Sequence, residues 1–233
     1  MSESTSESMV KHTSKTAITM IAFAFIGTAL LAYVFGITRA PIEASEAEAR
    51  LALFKQILPE NAYDNDLLKQ VIKIAPNELL GNHQPTEANI ATLNHKTAGV
   101  ILEAVAHDGY SGDIKLLIAI RADGSISGVR VLAHKETPGL GDYIDVAHGK
   151  WITLFNDESL AKTAAKDWQV KKDGGKFDYM VGATITPRAV VKAVLKAVQY
   201  FDLNKDILFA SANKSAAEII VNEKADSTQK SKD

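Results

Sequence analysis

The chain has 233 residues, 46% of them hydrophobic and 23% charged, the composition of a folded protein with room for one large or two small domains. Its 26 Lys and Arg against 28 Asp and Glu give a net charge of -2, which excludes a protein built around a basic nucleic-acid footprint. It has no cysteine, which excludes disulfides, thiolate metal sites, cysteine-ligated iron–sulfur clusters and a cysteine nucleophile, so redox chemistry would need a non-thiol cofactor.

Residues 1–15 are rich in Ser, Thr and Glu and read as a mobile cytoplasmic tail. Ala17 to Ile37 then run without a charge for 21 residues, long enough for a helix to cross the ~30 Å hydrocarbon core. Thr19 and Thr28 can bond back to their own helix, and Tyr33 lies near one end, where an aromatic ring suits the membrane interface. The rivals are a buried soluble helix and a cleaved signal peptide. A signal peptide usually has an apolar core of only ~7–15 residues, so an uncleaved anchor over 16–38 fits better. Lys11 and Lys15 before the span, against Arg39 close after it, place the N-terminus in the cytoplasm. The C-terminal part then lies on the periplasmic side of an inner membrane.

Pro41 suits the first turn of a new helix. Leu51, Phe54, Ile57 and Leu58 fall on one face and predict an amphipathic helix at 43–58. Leu67 to Ile74 reads as a short helix or strand, and the polar stretch 81–97 as loop. Residues 39–94 are therefore a helical and loop segment leading into an outer domain at 95–204. Within that domain 99–110, 114–125 and 127–135 are rich in Val, Ile and Leu and predict three antiparallel strands, with Ala122-Asp123-Gly124 as a hairpin turn. Residues 151–155 and 160–168 look locally helical, 172–175 forms a turn, and 176–181 reads as a short strand. A helix is predicted from Pro187 to Leu203 and another from Lys205 to Asn222. Residues 205–233 thus make a C-terminal helix and a disordered tail. The fold class is α+β: one N-terminal transmembrane helix, then an antiparallel sheet with helices.

The segment that invites chemistry is FDYMVGATITPRAVVKAVLKAV, residues 177–198. Thr186-Pro187 predicts a helix start, with a hydroxyl cap followed by proline at the first helical position. Val190, Val191, Val194, Leu195 and Val198 form an apolar stripe beyond it. Thr184 then stands just outside a helix N-terminus, where free amides and the positive dipole end receive a phosphate well. An ordinary capped helix with an unmodified threonine fits the same residues. The loop Glu136-Thr137-Pro138-Gly139-Leu140-Gly141 is either a turn connector or a place where backbone approaches a flat ligand. Gly109-Tyr110-Ser111-Gly112 reads as a turn between strands. The histidines lack metal-ligand spacing, and no phosphate-loop or nucleophile-elbow motif occurs. Asp142 and Asp145, beside Tyr143, read as a solvated acidic face.

Asp178-x-x-x-Gly182-Ala183-Thr184-x-Thr186 resembles the flavinylation motif of the FMN-binding domain family. Glu136-Thr137-Pro138-Gly139-Leu140-Gly141, about 45 residues earlier, resembles that family's second hallmark, and Gly109-Tyr110-x-Gly112 a third. The resemblance covers about 95–200 and the anchor. It extends to the anchored flavin subunits of Rnf (Rsx) ion-translocating electron-transport complexes, with sodium-pumping NADH:quinone reductases as relatives. It implies that a flavin transferase moves FMN from FAD onto the Thr184 hydroxyl, leaving a phosphoester. It also implies cofactor-binding roles for Tyr110, Gly112, Glu136, Thr137, Gly139, Leu140, Gly141, Asp178, Gly182, Ala183 and Thr186. Val181 stands where the family usually has Ser or Thr. The implied function is one step of an electron relay coupled to ion movement. The implied partners are the other Rnf/Rsx subunits, the transferase and the membrane, with no metal and no nucleic acid. The residues themselves leave open a non-redox anchored binding or assembly module. An anchored hydrolase would need a nucleophile–base pair that the sequence does not offer.

Overall fold

The computed structural model describes the backbone of residues 3–230 and the side chains of residues 13–211. The chain divides into two compact units, Met1–Arg50 and Leu51–Asp233.

A single helix, α1 (Glu3–Ile57), makes up the described part of the first unit and ends in the second. Its apolar side chains from Ile18 to Ile37 are exposed, Phe25 to 76%, and it is long and apolar enough to cross a membrane. Thr19, Thr28 and Thr38 each donate their hydroxyl to the carbonyl four residues back at 2.8 Å, which hides the polar group on the helix itself. The expected restart at Pro41 does not occur. Proline removes one amide, but its fixed φ is helical, and the Arg39–Glu43 ion pair at 2.7 Å spans the position. The expected tail at 1–15 is helical from Glu3 onward.

The second unit is built on a five-stranded antiparallel meander: β1 (Val71–Ile74), β2 (Thr86–Leu93), β3 (Lys96–Ala106), β4 (Ile114–Arg121) and β5 (Ile126–Ala133), in that spatial order. Ile90 faces Val100, Leu102 faces Ile118, and Ile118 faces Val129 in register. Alternation then sends side chains to opposite faces. One face, with Ile90, Val100, Leu102, Leu116, Ile118 and Val129, packs in one cluster with Val190, Val191, Val194, Val198 and Phe201 of α2 (Ile185–Lys230). On the other, Ala91, Ile101, Leu117 and Ala119 meet Phe54 and Ile57 from the end of α1 and Leu58 just after it. Covering both faces explains why β4 reads as an almost unbroken apolar run. The predicted turn joins β4 to β5: Arg121 and Ser125 pair across it, Asp123 Oδ1 accepts from the Ser125 amide at 2.8 Å, and Gly124 has φ +87°.

Four expectations are corrected here. Residues 81–97 are not all loop, because 86–93 form β2, with Asn89 buried and its side-chain amide donating to the Leu67 carbonyl at 2.9 Å. Residues 176–181 are not a strand; they make isolated bridges, Val170–Phe177 and Met180–Ala183. Helix α2 does not break at Lys205, since Asn204 turns its amide back onto the Tyr200 carbonyl at 2.8 Å and the helix continues to Lys230. The tail expected to be disordered is helical through 225–230, and 231–233 lie outside the described residues.

Candidate functional site

Between β5 and α2, from His134 to Thr184, the chain has only short 3-10 turns. Packing of rings holds this stretch. Phe155, Trp168 and Phe177 lie with centroids 4.8 to 6.3 Å apart, and Trp151 meets Tyr143 and Phe155 edge-on. Two of these rings reach the residues before α2: Trp151 Nε1 donates to the Asp178 carbonyl at 2.6 Å, and the Met180 amide donates to the Tyr143 hydroxyl at 3.2 Å. Burial pushes the Tyr143 phenol above its usual pKa, so it stays neutral and keeps its proton. Gly182, at φ +93°, then turns the chain into the helix, with Val181 84% exposed at the tip.

Helix α2 starts two residues earlier than Thr186-Pro187 suggests. Its first internal bond runs from the Arg188 amide to the Thr184 carbonyl at 3.3 Å, so Thr184 itself is the residue at the cap. The amides of Ile185 and Thr186 precede that bond and have no acceptor within the helix, and Pro187 has no amide to satisfy. Thr186 does not cap the helix. It is 1% exposed and donates its hydroxyl to Glu136 Oε2.

Glu136 is the hinge of the arrangement. It is 4% exposed, yet its oxygens take a hydroxyl and an amide rather than a cation: Thr186 on Oε2 and the Ser111 amide on Oε1 at 3.0 Å. One carboxylate thus ties the turn after β3, the loop after β5 and the first turn of α2. The loop is tight around it. The Thr137 carbonyl accepts the Leu140 and Gly141 amides, and Asp142 Oδ1 accepts the Gly139 amide at 2.9 Å. Asp142 is therefore buried and structural, not part of a solvated acidic face. A Cβ on Gly141 would lie 2.8 Å from Glu136 Oε2 and 3.0 Å from Thr186 Oγ1, so glycine is required for that approach.

These segments enclose a cleft of about 330 Å³ lined by Tyr110, Glu136, Thr137, Leu140, Gly141, Gly182, Ala183, Thr184, Ile185 and Thr186. That volume is at the lower end for small-molecule sites. Nine of the twelve sequence-derived site residues line it. Gly112 and Gly139 lie in the flanking turns and not on the wall, and Asp178 points to Lys171, 2.5 Å away, while its carbonyl holds Trp151. Ile185 lines the cleft and carried no signal in the sequence beyond its place in the motif.

The residues fit a phosphate-bearing group. Thr184 is half-buried on the cleft wall at the positive end of a long helix, beside amides without helical acceptors. Two cations of α2 are already used: Arg188 grips Asp173 with two bonds of 2.6 Å, and Lys192 pairs with Asp108 at 2.5 Å. A phosphate here would be met by the backbone amides of the helix start. Among the described residues no cluster of His, Asp and Glu is arranged to hold a metal.

Residues 109–199 match the FMN-binding domain family, and residues 1–57 match the RnfG N-terminal region. The G subunit of the ion-translocating oxidoreductase complex of Pseudomonas aeruginosa (strain UCBPP-PA14) is 46% identical over 90% of this chain and 96% of its own. Proteins of the same description from Aliivibrio fischeri (strain MJ11) and Vibrio cholerae are 40% and 39% identical, over 86% and 85% of this chain and 95% of each relative. The crystal structure of Shewanella oneidensis NqrC aligns with a TM-score of 0.41 and 22% identity, over 66% of this chain and 75% of that one.

Proposed function

The chain belongs to the RnfG family of ion-translocating oxidoreductase complexes, and we propose that it carries its FMN as a phosphoester on Thr184, in a domain on the periplasmic side of the inner membrane. It is a membrane flavoprotein subunit of such a complex, and its partners include the other Rnf subunits. The finer reading is the site of attachment. The observation that carries it is the contrast between two hydroxyls in one turn: Thr184 lines the cleft at the helix cap, and Thr186 is buried on Glu136.

Attachment is a phosphoryl transfer. The Thr184 oxygen bonds to the FMN-side phosphorus of FAD, the pyrophosphate bond breaks, AMP leaves, and the hydroxyl proton passes to a base of the transferase or to water. The chain's own contribution is to present the hydroxyl on a small-residue turn and to receive the phosphate with the Ile185 and Thr186 amides. When bound, the isoalloxazine ring supplies the electron-carrying chemistry. Tyr110, Leu140 and Ile185 give the cleft mouth an apolar wall for it. A covalent link keeps the flavin on a domain that has no cytoplasmic pool to refill it. The α1 helix anchors the domain; its membrane-crossing stretch carries no charge, so ion passage belongs to partner subunits.

Peptide mass spectrometry of the chain co-expressed with a flavin transferase tests this reading. An FMN adduct on the Thr184 peptide, lost in Thr184→Ala, is expected. An adduct on Thr186, or one that persists in Thr184→Ala, overturns it.

A further inference from the structure

The turn between β3 and β4, residues 107–113, puts Tyr110 on the cleft wall and the Ser111 amide on Glu136. At its base the His107 ring lies between two acceptors. Nδ1 is 2.9 Å from Asp113 Oδ1, and Nε2 is 2.8 Å from the Gly81 carbonyl oxygen. A neutral imidazole has one N–H and one lone pair, so it would satisfy one acceptor and set a lone pair against the other. The imidazolium donates to both. Gly81 makes the approach possible: it has φ +68°, and a Cβ there would stand 2.3 Å from the Val105 carbonyl oxygen and 3.3 Å from His107 Nε2.

We propose that His107, as an imidazolium, is a positioning residue that closes the 107–113 turn onto Asp113 and Gly81, and so holds Tyr110 and Ser111 against the cleft until the ring loses its proton. The inference concerns the cleft wall and stands whether or not Thr184 carries the flavin.

The charges around the ring favour the closed form. Asp113 contributes most, first by its hydrogen bond; the Gly81 carbonyl follows, partial burial opposes, and the Asp113 and Asp108 charges add, leaving the His107 pKa above its ordinary value. From α2, Lys192 is committed to Asp108, while Lys196 lines the adjoining groove with Glu78. The His83 ring stacks on His107 with centroids 5.0 Å apart. The sign follows from the raised value. The tie is complete below the ordinary histidine pKa and is lost as pH rises through the elevated one.

The test uses the full chain in detergent, without flavin. Ring C–H NMR of labelled histidine reads the titration of His107, and hydrogen exchange of the 107–113 peptide, corrected for base catalysis, reads closure of the turn. Protection is expected to fall by up to about tenfold per pH unit between the open-turn and closed-turn titrations of His107. His107→Gln, which keeps a donor but cannot titrate, should give protection that does not vary with pH. Asp113→Asn should move the His107 midpoint down. A wild-type protection that stays flat across the titration, a Gln variant that keeps the wild-type pH dependence, or a midpoint unmoved by Asp113→Asn overturns the proposal. None of these readouts depends on Thr184, so their failure is distinct from failure of the attachment site.

Discussion

Replacing Thr186 separates two roles that its place in the helix start could give it. Its hydroxyl donates to the buried Glu136 carboxylate. Thr186→Val keeps the shape and removes the donor, leaving a buried charged acceptor short of a partner at a cost of about 1.5–3 kcal/mol. Thr186→Ser keeps the donor and removes one methyl, at a cost of about 1 kcal/mol in transfer and packing terms. Valine should therefore be the more damaging change by about 0.5–2 kcal/mol. If the site were merely apolar packing the order would invert, because valine adds apolar surface and serine removes it. A capping hydroxyl would give the same order as the buried bond, so a double-mutant cycle with Glu136→Leu, which removes the acceptor, is needed. Direct contact predicts a coupling of about 1–3 kcal/mol, and a cap predicts none. Urea unfolding of the full chain in detergent, followed by the fluorescence of Trp151 and Trp168, supplies the free energies. A valine variant no less stable than the serine variant, or a cycle that closes without coupling, would refute the reasoning.

Gly141→Ala forces a Cβ against Glu136 and Thr186 and should cost about 1–3 kcal/mol and reduce flavin loading. Gly139→Ala meets open space but keeps φ at +75°, so about 1 kcal/mol with normal loading is expected; equal losses in both, by urea unfolding and intact mass, would contradict the cleft geometry. A reporter fused after Asp233 should be active if it is one that works in the periplasm, and activity of a cytoplasm-dependent reporter there would reverse the proposed orientation.

What could be read from the sequence follows from which groups do the pairing. Strands β3, β4 and β5 were legible because they bury Val, Ile and Leu on a sheet covered on both faces. Strand β2 was not, because beside Ile90 it buries only Ala88, Asn89 and Ala91, a weak hydrophobic signature, and Asn89 is satisfied by a carbonyl 22 positions away. Residues 176–181 had a strand-like composition but lack the backbone groups a ladder needs: Trp151 takes the Asp178 carbonyl and Tyr143 takes the Met180 amide. The sequence around Asn204 and Lys205 suggested a stop, and the Asn204 side chain instead bonds back within its own helix. At the site, the motif residues were recognisable by resemblance to a family. The tie through Glu136 was not, since its partners lie 25 and 50 residues away in sequence. Glu136 was expected to contact a ligand; it lines the cleft, and each of its carboxylate oxygens also takes a donor from the protein.

The position of the cap changes the argument for Thr184 without moving its conclusion. In the sequence, Thr186 looked like the capping residue. The helix in fact begins after Thr184, and the amides left open are those of Ile185 and Thr186. A residue at that position normally serves the helix by presenting an oxygen acceptor to the second or third amide. Esterification turns the hydroxyl into a bridge to a phosphate, which presents more acceptor oxygens and a negative charge to the same amides at the positive end of the dipole. The modification proposed at Thr184 would thus extend the capping chemistry instead of removing it. With Arg188 and Lys192 committed to Asp173 and Asp108, the open amides at the helix start supply positive potential to that wall. Thr186 cannot make this exchange without uncovering Glu136 and with it the contact that joins the three segments of the cleft.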